Sequence, residues 1–407
     1  AGLGAVVASG PSHEPLADGP IYAAAGTLLH PDRLSQLFVN VWFRWDTGWY
    51  LKIAAFGYAY LDGTASFAPL YPWLVGLLGG LTGQYLASAL FLSGLATLAV
   101  FLLLYEVALA EGLPPEIALL AVSFLAFSPS AFFLHAAYTE SLFLALVLGT
   151  WLAARRGRWL AAGLLGGLAT LARLQGVVLA PALLYLWLAE SNPQFGLCKP
   201  ATWRTALASL RRPAWLFALS PVVAFAGWNA WLQLAGLGTL SETYAAVWGV
   251  RTVPPWQGFW IFLERLWAAP PAFINYVDLL AFFSTVVLLS IGLRPARDRS
   301  RAALHPGLSL FAWLTLGFLF IRDMPLHLLD SFNRYMLVIF PVFLVLGQIR
   351  SRAWRLALWT LSLGLQTVLL LGFLDGAVDL ALPLRGGVRG HRQRLRGRAR
   401  RDDRGCG

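Results

Sequence analysis

The chain has 407 residues, of which 58% are hydrophobic and only 13% charged. A soluble domain is about one quarter charged, so a single water-soluble globule is excluded. The net charge of +11 is no nucleic-acid signature, because Arg sits mostly in short connections between apolar runs and in the tail, where it sets membrane orientation.

Residues 1–10 (AGLGAVVASG) are apolar, too short to span, and preceded by no basic segment, so they read as the stub of a first membrane helix. A first external loop then runs over 11–83. Its densest stretch, WFRWDTGWYLKIAAFGYAY at 42–60, sets Trp42, Trp45, Trp49, Tyr50, Tyr58 and Tyr60 as an aromatic belt for the headgroup level. Asp46 precedes TGWYLKIAAF, an amphipathic helix stopped by Gly57. Residues 67–81 (FAPLYPWLVGLLGGL) fall short of the roughly twenty that a bilayer needs and predict an interfacial helix.

Ten candidate spans follow, over roughly 84–109, 116–134, 140–154, 159–171, 174–189, 214–236, 275–293, 305–321, 333–349 and 354–374. The stretch 159–189 is too long for one ordinary helix and Arg173 interrupts it, so two short helices are expected to meet there. Arg155, Arg156 and Arg158 lie in one connection. Lys199, Arg204, Arg211 and Arg212 lie in a second, Arg294, Arg297, Arg299 and Arg301 in a third, and Arg350 and Arg352 in a fourth. Counting spans puts all four on one side, as the positive-inside rule demands. The whole is an all-α polytopic membrane bundle over 84–374. Residues 375–407 form a basic tail, with nine Arg in 385–407, that cannot bury a core and is expected to be disordered.

Charges are absent from the middle of the clear spans, which disfavours an ion-coupled transporter. Polar groups gather on the non-cytoplasmic side, among them Arg44, Asp46, Lys52, His135, Glu140, Arg173, Gln175, Arg322, His327, Asp330 and Arg334. Asp46 reads both as a helix N-cap and as a carboxylate, flanked by Arg44, able to take a proton from an acceptor hydroxyl. Arg173 and Arg334 read either as headgroup anchors or as guanidinium groups that bind a lipid-linked phosphate. Lys52, six residues after Asp46, reads as a membrane-surface charge. His135 and Glu140 flank a turn, where a cap is the ordinary role and substrate contact remains open. Cys198 and Cys406 make neither a disulfide framework nor a metal-ligand spacing. No Walker A, G-x-G-x-x-G after a strand, H-E-x-x-H or Asp-x-Asp in a loop is present, so neither a nucleotide nor a metal site is expected. The loops have no room for a soluble nucleotide-sugar domain, which points any donor toward the lipid.

The run RWDTGWYLKIAAFGY (44–58), followed by FAPLYPWLVGLL (67–78), resembles the first-loop signature of the PIG-V-type mannosyltransferases, relatives of the second mannosyltransferase of GPI-anchor synthesis. Collinear similarities follow in AYTESLFLALVLG (137–149), LATLARLQGVVLAPALL (168–184) and NRYMLVIFPVFLVLG (333–347). The resemblance implies a GT-C glycosyltransferase fold of about ten to eleven membrane helices, in a bacterial cytoplasmic membrane or, in a eukaryote, the endoplasmic reticulum. It implies inverting transfer of mannose from a polyprenyl phosphate to a glycolipid, glycan or protein acceptor, with no further cofactor. It implies that Asp46 is the base and that Arg173 and Arg334 contact the donor phosphate; Arg44, Gln175, His135 and Glu140 stand beside them as candidate substrate contacts from their place on the same face. The chain departs from the family's more usual Arg-Pro-Thr-Gly at Arg173-Leu174-Gln175-Gly176. Two other readings stand beside this one: a transporter or flippase of lipid-linked saccharides, and a non-catalytic membrane scaffold.

Overall fold

The computed structural model describes residues 24–192, 195–196, 199–268, 273–292, 305–323 and 331–375. The stub at 1–10, the basic tail beyond 375, the Arg294–Arg301 connection, His327 and Asp330 lie outside the described residues.

The structure is helical, with one two-residue ladder among the described residues. Helix α1 (Asp46–Phe56) ends at Gly57, whose φ of 76° suits glycine. It packs on α2 (Leu70–Thr82), which is 13 residues long, or about 20 Å, and so keeps its expected interfacial length. Then come α3 (Tyr85–Ala110), α4 (Pro115–Ala126), α5 (Glu140–Arg155), α6 (Trp159–Ala172) and α7 (Leu179–Ser191). The predicted break falls at Arg173, which takes an extended φ of −149° between α6 and a short 3-10 turn, Leu174–Val178. Next are α8 (Ser220–Leu234), α9 (Leu240–Trp248), β1 (Arg251–Thr252), α10 (Pro255–Ala268), α11 (Phe273–Gly292) and α12 (Pro306–Phe318). The chain then enters β2 (Arg322–Asp323), antiparallel to β1 with Thr252 opposite Arg322. It continues through α13 (Phe332–Tyr335), α14 (Pro341–Gly347) and α15 (Arg352–Asp375).

Among the described residues, four helical stretches are long and apolar enough to cross a bilayer: Tyr85–Ala110, Leu174–Ser191, Pro213–Leu234 and Arg352–Leu374. Other apolar helices, such as Pro115–Ala126 and Trp159–Ala172, are shorter. Helix α3 shows why such a bundle suits lipid. Its inner face buries Ala96, Val100 and Leu104, while Phe91, Leu95, Leu98 and Leu102 form an exposed apolar stripe on the outside. A helix apolar all round needs apolar surroundings on both faces.

Two expectations are corrected. The stretch 333–349 is not one span: it breaks into α13, a 3-10 turn and α14, which Pro341 begins because it has no N–H to continue the preceding turn. Its Leu337, Val338, Phe340, Phe343 and Leu344 lie in the central core, where packed protein shelters the irregular backbone. Nor do the aromatics of 42–60 form an outward belt. Tyr50 is buried, Trp45 packs on Phe373, and Trp49 stacks on Phe67 with a centroid separation of 5.4 Å. Only Tyr60 of the six is exposed.

Candidate active site

The N-terminus of α1, the start of α5, the Arg173 turn and α13 converge on a buried ion network. Glu140, the first residue of α5, is 0% exposed. Its Oε1 accepts from Arg173 Nη1 at 2.5 Å and lies 3.1 Å from Arg334 Nε, an ion contact without hydrogen-bond geometry. Arg334 Nη1 donates to Asp46 Oδ2 at 2.7 Å. Arg173 Nη1 also donates to the Thr139 hydroxyl at 3.1 Å. The Tyr335 ring lies 5.0 Å from the Arg173 guanidinium and 5.3 Å from that of Arg334. Such cation–π contacts and shared carboxylates fix both guanidinium planes.

The network forms one wall of a cavity of about 440 Å³. Tyr50 and Phe67 also line it, as do Gln175 from the turn after Arg173, Asn229 from α8, Tyr244 and Trp248 from α9, and Arg322 from β2. Among the described residues, four charged side chains line the cavity: the Asp46 carboxylate and the guanidinium groups of Arg173, Arg322 and Arg334. Glu140 stands behind them, so the surface offered to a ligand is net positive and suits an anion beside one carboxylate. Burial, with the nearby charges of Asp46 and Glu140, holds the Tyr50 hydroxyl well above its usual range, so it stays a neutral donor. The far wall is braced by α9: Trp248 Nε1 donates to Ser66 Oγ at 3.0 Å and the Tyr244 hydroxyl to the Ser66 carbonyl at 3.2 Å.

Of the residues singled out from the sequence, Asp46, Arg173, Gln175, Arg322 and Arg334 line the cavity, and Glu140 lies directly behind it. Asp46 does not serve as an N-cap: it is the first helical residue, the cap position falls to Trp45 at a φ of 41°, and no side-chain cap bond forms. The Asp46 carboxylate, 28% exposed, is thereby left to Arg334 and the cavity. The anchor reading of Arg173 and Arg334 also fails, since side-chain exposures of 12% and 13% place both inside the protein.

Arg44 and His135 are not brought to the cavity. Arg44 is buried and donates through Nε to the Phe373 carbonyl at 3.3 Å, through Nη1 to the Phe43 carbonyl at 3.1 Å, and through Nη2 to the Leu374 carbonyl. It holds two carbonyls near the last described turn of α15. His135 is exposed and meets Trp42 edge-on at 5.4 Å. Lys52, expected as a surface charge, is instead paired with Asp62. Tyr335 and Asn229 escaped sequence reading. Tyr335 was signalled only by its place beside Arg334, and Asn229 only as one polar residue in an apolar helix.

Among the described residues, no group of three or more His, Cys, Asp or Glu could hold a metal ion.

Comparison with known proteins bears on this site directly. Residues 11–190 match the family described as Mannosyltransferase (PIG-V), a stretch that carries Asp46, Glu140, Arg173 and Gln175. The family so matched is one of glycosyltransferases, and the resemblance seen at 44–58, 67–78, 137–149 and 168–184 is borne out over that stretch. No curated protein matches the chain. Two crystal structures of the Archaeoglobus fulgidus oligosaccharyltransferase are similar at 14% identity and a TM-score of 0.44, one in the apo form and one tethered to an acceptor peptide containing the NVT sequon. The likeness covers 90% and 89% of this chain and 56% of each of theirs, so the chain spans a little over half their length.

Proposed function

We propose that this protein is a multi-pass membrane glycosyltransferase of the GT-C type. In this reading it transfers mannose, with inversion, from a polyprenyl-phosphate carrier to an acceptor hydroxyl on the non-cytoplasmic face. The observation that carries the reading is the placement of one partly exposed carboxylate, Asp46, against Arg334 in a cavity that Arg173 and Arg322 also line. The cavity volume lies within the range of about 300–1,000 Å³ usual for small-molecule sites. Helix α5 supports the sidedness: Glu140 begins it at the cavity, and Arg155 ends it 15 residues later, about 22 Å away, with Arg156 as its cap. The basic end then faces the cytoplasm.

The chemistry is one in-line displacement. The acceptor oxygen attacks the anomeric carbon, the bond from that carbon to the phosphate oxygen breaks, and the lipid phosphate leaves with the electron pair. The acceptor's proton passes to Asp46, whose Oδ1 receives no hydrogen bond among the described residues. Fixed guanidinium charge meets the charge that develops on the departing phosphate and supplies the larger share of the acceleration. The base contributes about 10²–10⁴-fold. The acceptor is a glycolipid, a glycan or a protein.

The test compares wild type with Asp46→Asn in membranes supplied with radiolabelled polyprenyl-phosphate mannose. Transfer is expected to fall by about 10²-fold or more, and equal transfer by the two proteins overturns the base.

A further inference from the structure

Gln175 is a buried amide with no hydrogen-bond partner among the described residues. It is 7% exposed, its Nε2 has no acceptor, and no hydrogen bond to its carbonyl oxygen is formed by any described residue. A carboxamide has two N–H donors and a carbonyl acceptor, and leaving the buried donors unpaired is costly. The side chain lines the cavity beside Arg173, so the cavity is where its partner can bind.

The backbone gives Gln175 little freedom to turn away. It sits in the 3-10 turn Leu174–Val178, and the next residue, Gly176, is pressed so closely on α6 that a Cβ there would lie 2.7 Å from the Thr170 backbone. The amide is therefore presented on a rigid support.

We propose that Gln175 reads the sugar of the donor, its amide bonding a neighbouring pair of ring hydroxyls. This rests on the reading of the cavity as the donor site. The chemistry of the group selects the ligand. A phosphate offers acceptors only, which the amide carbonyl repels, and the arginines of the cavity already answer that need. A sugar hydroxyl both donates and accepts, and two adjacent hydroxyls match an amide that does the same. Tyr335, Phe67 and Trp248 supply apolar faces in the same cavity for the C–H side of a pyranose ring. Gln175 is thus a specificity residue for the hexose, separate from the groups that hold the phosphate.

The experiment measures binding to Asp46→Asn protein in nanodiscs, where turnover is suppressed. The probes are a short-chain prenyl-phosphate mannose and the same prenyl phosphate without sugar. Gln175→Met, nearly isosteric, is expected to weaken the mannose-bearing probe about tenfold, the worth of roughly one well-placed hydrogen bond, and to leave the sugar-free probe unchanged. Gln175→Asn, which withdraws the amide by one methylene, is expected to do the same and guards against a variant that misfolds. An unchanged ratio between the two probes, or an equal loss for both, overturns the inference while the donor site stands. Failure of the parent protein to bind either probe removes the donor site itself, and the sugar contact with it.

Discussion

Arg334 joins two carboxylates from distant parts of the chain: its Nη1 meets Asp46 at 2.7 Å and its Nε lies 3.1 Å from Glu140. One guanidinium therefore links the N-terminus of α1 to that of α5. Its planar fork can do this because its nitrogens point in different fixed directions, whereas an ammonium is a single point of charge. Replacement of Arg334 by Ala is expected to lower kcat about 10²–10³-fold, the usual cost of removing one group that stabilises developing negative charge. Arg334→Lys should recover little of this loss. Full activity in the Lys variant, measured as mannose transfer in membranes, would show that charge alone suffices.

Glu140 is fully buried, and one of its oxygens serves both Arg173 and Arg334. Its removal leaves Arg173 with no carboxylate in the network and Arg334 with Asp46 alone. Truncating one partner of a buried ion pair costs about 3–5 kcal/mol, so Glu140→Ala is expected to unfold at a clearly lower temperature in detergent. Glu140→Gln, which keeps shape and an acceptor, should lose less stability. A melting temperature unchanged in both variants would mean that the network contributes no stability.

Acid should loosen the loop before α2. Burial pushes the Asp62 carboxyl up, but Lys52 and the hydroxyl and amide of Thr64 pull it down further, and the balance lies below its ordinary value. A carboxylate depressed on folding adds stability above its unfolded pKa of about 3.9 and loses it as pH falls through the folded value. Asp62→Asn is therefore expected to cost stability at neutral pH and to flatten the decline below about pH 4. Chemical denaturation of the two proteins across that range, with parallel curves, would refute the linkage.

Helix α10 packs Gly258 against the segment that leads into the cavity wall. A Cβ on Gly258 would lie 1.8 Å from the Phe320 carbonyl oxygen, and Arg322 follows two residues later. Backbone cannot yield as a side-chain tip does, so Gly258→Ala must push α10 away from 319–321. The expected result is at least a several-fold weaker binding of a short-chain prenyl phosphate, through displacement of Arg322. Binding equal to that of wild type would separate the α10 contact from the site.

The apolar runs, the break at Arg173 and the stop at Gly57 were legible because each depends on a few adjacent residues: hydropathy over one helix, a charge that interrupts it, a glycine that tolerates positive φ. Asp46, Arg173 and Arg334 stood out for a similar reason, as charged groups at the edges of apolar segments. What the residues alone left open was direction. Arg44 is two residues from Asp46, yet Trp45, at a φ of 41°, stands between them, and Arg44 binds the carbonyls of Phe373 and Leu374. The stretch 333–349 has the hydropathy of a span, but its place in the central core made it broken and buried.

Composition and periodicity by themselves determined that this chain is a helical membrane protein with its polar chemistry gathered at helix ends, because burial of apolar surface is a local property of each run. Only the tertiary structure decided which ends meet. Asp46 and Arg334 are 288 residues apart, and such a pairing is set by the packing of whole helices, which no window of sequence contains.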